Sequence, residues 1–169
     1  MAGYLSRLIL RGVVKSALVL EAESIATYQR LRGRVGNDRS CSDSLDESIC
    51  RLLAEEELHR KILQEVADGK LALEQLEKLL AHRGTQGLPT VAALAPQALA
   101  QWGEALSSAL EHEEKTWVFY SNLRRMSRIP SVKKAFEALA TMEKEHVDIL
   151  RSLLGRPAGA GSAPHPVLP

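Results

Sequence analysis

The sequence predicts an all-α protein: four long helices packed as one bundle, with a long crossover connection that contains a short helix. Three observations carry that expectation. Apolar residues recur at steps of three and four along four separate stretches, the spacing that gathers side chains on one helix face. Aromatic residues make up 4% of the chain against 45% hydrophobic residues overall, and Ala, Leu and Glu are abundant, a balance that favours helices over a β-sandwich. The connection between the second and third stretches is too long for a tight turn, and a connection of that length can cross a bundle. With 169 residues, the chain fits one domain and buries most of its apolar surface without staples.

The first helix is expected from about Tyr4 to about Arg32, with Val14, Ala17, Leu18, Glu21, Ile25 and Tyr28 on one face. Gly33, Gly36, Asn37 and Asp38 should break it. Ser42 or Ser44 is the expected N-cap of the second helix, with Asp46 and Glu47 near its positive end. Ile49, Leu52, Leu53, Glu56, His59, Leu63 and Val66 form its inner face, and Gly69 ends it. Leu71 to His82 reads as a short helix within the connection of residues 68–95. The third helix should span about Pro96 to Met126, with Leu106, Leu110, Glu113, Trp117, Tyr120 and Leu123 inward. Pro130 separates it from the fourth, about Ser131 to Leu154, whose inner face carries Val132, Phe136, Leu139, Glu143, His146, Leu150 and Leu153. The bundle domain is thus expected over residues 1–155. Residues 156–169, rich in Gly, Ala and Pro and nearly uncharged, should form a flexible tail.

Charge and cysteine usage narrow the function. A formal net charge of +1 gives no reason to expect nucleic acid as a partner. Cys41 and Cys50 do not form a Cys-x-x-Cys pair, so a thiolate zinc or rubredoxin-type iron site within the chain is not expected. Two cysteines fit a reducing, cytoplasmic compartment. Arg7, Arg11 and Lys15 interrupt the N-terminal apolar run, and no small-residue cleavage site follows, so it reads as a helix and not a signal peptide. That basic stripe is most simply a solvated face, with membrane-surface contact as the less favoured reading. No stretch approaches the ~18 uninterrupted apolar residues of a membrane span.

An internal repeat carries the chemistry. Glu21, Tyr28 and Leu31 of the first helix recur at identical spacing as Glu113, Tyr120 and Leu123 of the third. Glu56, His59, Ile62 and Leu63 of the second recur as Glu143, His146, Ile149 and Leu150 of the fourth. Residues three apart are neighbours on a helix surface, and both Glu-x-x-His pairs fall within apolar inner faces. Four Glu and two His should therefore meet at mid-bundle. Four carboxylates in a dry core repel one another and lose hydration, so they need protons or cations. Two divalent cations balance four carboxylates. Mixed carboxylate and imidazole donors suit iron, manganese or zinc, whereas calcium prefers oxygen alone.

The segments LEAESIATYQRL, AEEELHRKIL, HEEKTWVFYSNL and MEKEHVDIL resemble the rubrerythrin branch of the ferritin-like di-iron carboxylate superfamily, over about residues 14 to 154. The resemblance implies a ferritin-like four-helix bundle with two iron ions per chain. It implies Glu21 and Glu113 as terminal ligands, Glu56 and Glu143 as bridges, and His59 and His146 each capping one ion. Tyr28 and Tyr120 would hydrogen-bond the opposing carboxylates. It also implies an oxidoreductase of peroxidase or ferroxidase type, acting on peroxide or dioxygen, in a homodimer. Rubrerythrins proper carry a four-cysteine rubredoxin-like domain, so the electron donor here should be a separate rubredoxin-like protein or a small molecule. They also place a further Glu on the third helix. Three residues past Glu113 stands Thr116, and Glu111 or Glu114 would substitute only in another register.

Other readings are iron storage or a ferroxidase cargo or subunit, a dimanganese catalase-like enzyme, and a metal-free structural bundle. Glu23, Glu55, Glu57, Glu114 and Glu145 read as solvated faces, with Glu23 an alternative ligand. His82 and His112 read as surface residues and Trp117 as core.

Overall fold

The computed structural model describes residues 2–35, 43–70, 75 and 91–157, with side chains from residue 11 in the first of these stretches and from residue 44 in the second. Among them are four long helices and no strand: α1 (Ala2–Val35), α2 (Asp43–Ala67), α3 (Pro96–Met126) and α4 (Pro130–Leu153). This is the all-helical bundle that the periodicity predicts. Of the expected short helix at 71–82 only residue 75, which is helical, is described; the alternative cap Ser42, the Cys41 thiol and the tail beyond residue 157 lie outside the described residues.

Boundaries differ in two places. Helix α1 runs through Gly33 to Val35 instead of breaking there. Its last turn is fixed by burial of Leu31 and Val35 against α2 and α3 residues such as Leu45 and Trp102, and this tertiary packing outweighs glycine's roughly 1 kcal/mol helix penalty. Ser44 lies inside α2, where its carbonyl accepts from Ser48 Oγ at 2.7 Å, so it is not the cap. Pro96 and Pro130 open α3 and α4, where a missing N–H costs nothing and φ is already helical.

The helices that carry the two Glu-x-x-His pairs end alike. After α2, Gly69 has φ +70°; its N–H reaches Val66 O at 3.1 Å, and Lys70 N–H reaches Glu65 O at 2.9 Å. After α4, Gly155 has φ +65°; its N–H reaches Ser152 O at 3.0 Å, and Arg156 N–H reaches Arg151 O at 2.8 Å. Both are Schellman turns, whose left-handed residue glycine adopts without strain.

Helices α1 and α2 pack along their length as one hairpin, and α3 and α4 as another; contacts from hairpin to hairpin are narrower. Tyr28 meets Glu113 while Tyr120 meets Glu21, so α1 and α3 run antiparallel. Since α2 also runs antiparallel to α1, α2 and α3 point the same way. The end of α2 and the start of α3 therefore lie at opposite ends of the bundle, as in the ferritin-like arrangement.

The apolar core has two parts. One gathers Ile25, Leu45, Ile49, Leu52, Leu106 and Leu150; the other gathers Val14, Leu63, Phe136 and Leu139 with Ile62 and Ala135. Between them, each helix interrupts its apolar face with buried Glu or Glu and His. No helix among the described residues is long and apolar enough to cross a membrane.

Candidate metal centre

All six residues singled out by the repeat meet in that polar layer. Glu21, Glu56, His59, Glu143 and His146 have no solvent exposure and Glu113 has 1%. Helical spacing explains the convergence: each Glu-x-x-His pair presents two side chains from adjacent turns of one helix face, and α1 and α3 each add one carboxylate from the flanks.

The six form two overlapping sets. Glu21, Glu56, His59 and Glu143 form one; Glu56, Glu113, Glu143 and His146 form the other. In each, one donor atom per residue lies within 4.8 Å of all the others. Glu56 and Glu143 belong to both. His59 Nδ1 stands 3.5 Å from Glu21 Oε2 and 3.3 Å from Glu143 Oε1. His146 Nδ1 stands 2.7 Å from Glu56 Oε1 and 3.7 Å from Glu113 Oε2. The imidazoles stack, with ring centroids 5.6 Å apart.

These approaches are close but are not hydrogen bonds. Both oxygens of Glu56, both of Glu143, Oε2 of Glu21 and Glu113, and Nδ1 of both histidines lack a hydrogen-bond partner. Buried polar atoms are normally satisfied, so this many orphans aimed at one another mark a place for cations. The donor set of carboxylates and imidazoles fits iron or manganese.

Outside the convergence point, hydroxyls fix the carboxylates. Tyr28 donates to Glu113 Oε1 at 2.8 Å, and Tyr120 donates to Glu21 Oε1 in a short bond. Burial and the facing Glu113 or Glu21 charge push both phenols well up, so both stay protonated donors.

Without cations, protons redistribute. Burial, then repulsion from Glu143, Glu21 and Glu113, pushes Glu56 well above the carboxylate range. Burial also raises Glu113, against the pull of the nearby His146. Burial opposes ionisation of Glu21 and Glu143, yet for Glu21 the contacts with His59, and for Glu143 those with His146 and His59, hold both below the usual value. Burial disfavours charge on the histidines, but the facing carboxylates win: His59 rises to about 9 and His146 rises well above its ordinary value.

Two residues beyond the repeat belong here. Ser24 is buried and its Oγ donates to Glu113 Oε1 at 3.2 Å. Glu55, expected on a solvated face, instead takes His146 Nε2 at 2.9 Å and Arg51 Nε at 2.8 Å. Burial would raise its pKa, but His146 and Arg51 bring it to about 2. The sequence carried a signal for both: Ser24 sits three past Glu21 on its inner face, and Glu55 adjoins a core Glu.

The alternatives fall elsewhere. The Glu23 side chain is 61% exposed. Glu111 is exposed, and Glu114 pairs with Arg151 at 2.7 Å. Thr116 is buried but donates to the His112 carbonyl at 3.2 Å. His112 is half-buried and its Nε2 lies 3.2 Å from Leu20 O, so it is not a free surface residue. Trp117 is only partly buried, with Lys144 Nζ 5.6 Å from its ring centroid.

Among known proteins, the rubrerythrin family matches residues 104–160. That stretch holds Glu113, Glu143 and His146. No curated protein and no solved structure is significantly similar to the chain.

Proposed function

We propose that this chain is a rubrerythrin-like di-iron protein that oxidises ferrous iron while reducing hydrogen peroxide or dioxygen. The family match covers the second hairpin from residue 104 onward, and the internal repeat extends the same pattern to the first. The observation that carries the reading is the pair of overlapping donor sets sharing Glu56 and Glu143, with their facing atoms orphaned.

In this reading Glu56 and Glu143, common to both donor sets, would be shared by the two ions. Glu21 and His59 complete one set, and Glu113 and His146 the other. Two ferrous ions held there would supply one electron each, the two that reduce hydrogen peroxide to water or dioxygen to hydrogen peroxide. The chain's residues do the rest. Apolar layers above and below keep water away from the carboxylates. Near-complete burial of all six ligands restricts access to molecules of very few atoms. Tyr28 and Tyr120 hold the terminal carboxylates in place, as outer hydrogen bonds do at metal sites. Position 116, three residues past Glu113, is a threonine whose hydroxyl bonds the His112 carbonyl, and no seventh carboxylate joins the two donor sets among the described residues. The two cysteines of these 169 residues cannot make a four-cysteine iron site, so the reading assigns the reducing electrons to another donor, such as a rubredoxin-like protein or a small molecule.

The test is elemental mass spectrometry on protein purified without a metal-affinity tag, beside a Glu56→Ala, Glu143→Ala double variant. We expect about two irons per chain in the parent and little in the variant. The reduced parent should consume peroxide. Manganese in place of iron would redirect the reading to a catalase-like centre, and a well-folded parent that takes up no metal would sink it.

A further inference from the structure

The two halves of the centre differ, and both differences point the same way. Pseudo-symmetry pairs Glu55, one residue before Glu56, with Met142, one residue before Glu143. Glu55 takes His146 Nε2 at 2.9 Å. Met142 is buried in an apolar cluster with Ile62 and Leu63, and its thioether is a weak acceptor. His59 Nε2 accordingly has no hydrogen-bond partner among the described residues. The same symmetry pairs Ser24 with Thr116, each three residues past a terminal carboxylate. Ser24 crosses to α3 and donates to Glu113. Thr116 bonds back to its own helix at the His112 carbonyl and gives Glu21 nothing.

Resting on the two-metal reading above, we infer that the two positions are unequal: the Glu113–His146 position is preorganised and fills first, and the Glu21–His59 position fills second and exchanges more readily. Glu55 is the positioning residue that sets this order. A carboxylate on the outer ring nitrogen fixes the tautomer that turns Nδ1 inward, holds the ring plane and makes the ligand more basic. Two hydroxyls on Glu113 Oε1 leave Oε2 alone to face the cation, whereas Glu21 has one such donor, Tyr120. His59 must orient itself at binding, with nothing on its outer nitrogen to repay the ordering.

The test titrates the metal-free full chain with cobalt(II), anaerobically and against a competing chelator, following visible absorption. The parent should show two resolved steps. Glu55→Ala should weaken the first step by about ten- to a hundredfold and leave the second in place, so the steps merge. Glu55→Gln, which keeps an acceptor without the charge, should recover part of the difference. Met142→Glu should tighten the second step. If the parent takes two cobalt ions with equal affinity, or if Glu55→Ala weakens both steps alike as a purely structural residue would, the inference is overturned while the two-metal centre stands. If the folded parent takes none, the centre itself falls and the inference with it.

Discussion

A phenol on each side of the centre meets a carboxylate from the other hairpin, but the two contacts are not equally dispensable. Glu113 keeps Ser24 if Tyr28 loses its hydroxyl, whereas among the described residues Glu21 has Tyr120 alone as a hydroxyl donor. Tyr120→Phe should therefore weaken metal retention by about tenfold or more, and Tyr28→Phe by less; chelator competition on each variant measures it. Six residues of the centre were legible in the sequence because a charged side chain on a core face must find a partner there, and a fixed spacing repeated in both hairpins points all six at one another. Ser24 and Glu55 were not singled out. A serine is unremarkable on a helix face, and Glu55 opens a run of three glutamates, Glu55 to Glu57, whose orientation only the packing decides.

Helix stops tell a similar story at the next scale. Gly69 was readable as a terminator because glycine is the usual left-handed residue just past a helix end, and its φ of +70° shows that turn. Gly33 looked equivalent, yet burial of Val35 carries α1 through it. A Cβ at Gly69 would meet nothing within 4 Å, so Gly69→Ala tests the backbone alone. It should cost about 1–2 kcal/mol for an L-residue in that conformation, read as a lower Tm with metal uptake unchanged. Inner faces were legible from period, with Leu18, Val66, Leu123 and Val132 only partly buried because they lie at the margins of the apolar face.

For the whole molecule, the centre couples folding to protons and metal. In the metal-free chain His59 is raised from 6.5 to about 9, so its contribution to stability is complete below pH 6.5 and lost as pH rises through 9. Glu56 and Glu113, raised above their unfolded value, act in the same direction, since the folded state keeps protons that the unfolded chain releases. The depressed carboxyls, Glu21 and Glu143, act only at lower pH. The Tm of the metal-free protein should therefore fall between pH 6.5 and 9. Metal should raise the Tm and, at neutral pH, release protons that an indicator dye can count. The up-down-down-up course was foreseen from the length of one connection, but its direction follows from contacts that no local pattern encodes.

The near-repetition of one hairpin by the other has a consequence for what such a centre can become. Two identical hairpins associating about a twofold axis would build the same ring of ligands, each copy supplying half. Symmetry would then force every residue to serve both halves alike. A glutamate that steadies one imidazole would steady both, and a methionine would deprive both. Joining the hairpins in one polypeptide removes that constraint. Glu55 and Met142 can be chosen separately, and a centre that would otherwise be a matched pair acquires a leading and a trailing member by single substitutions.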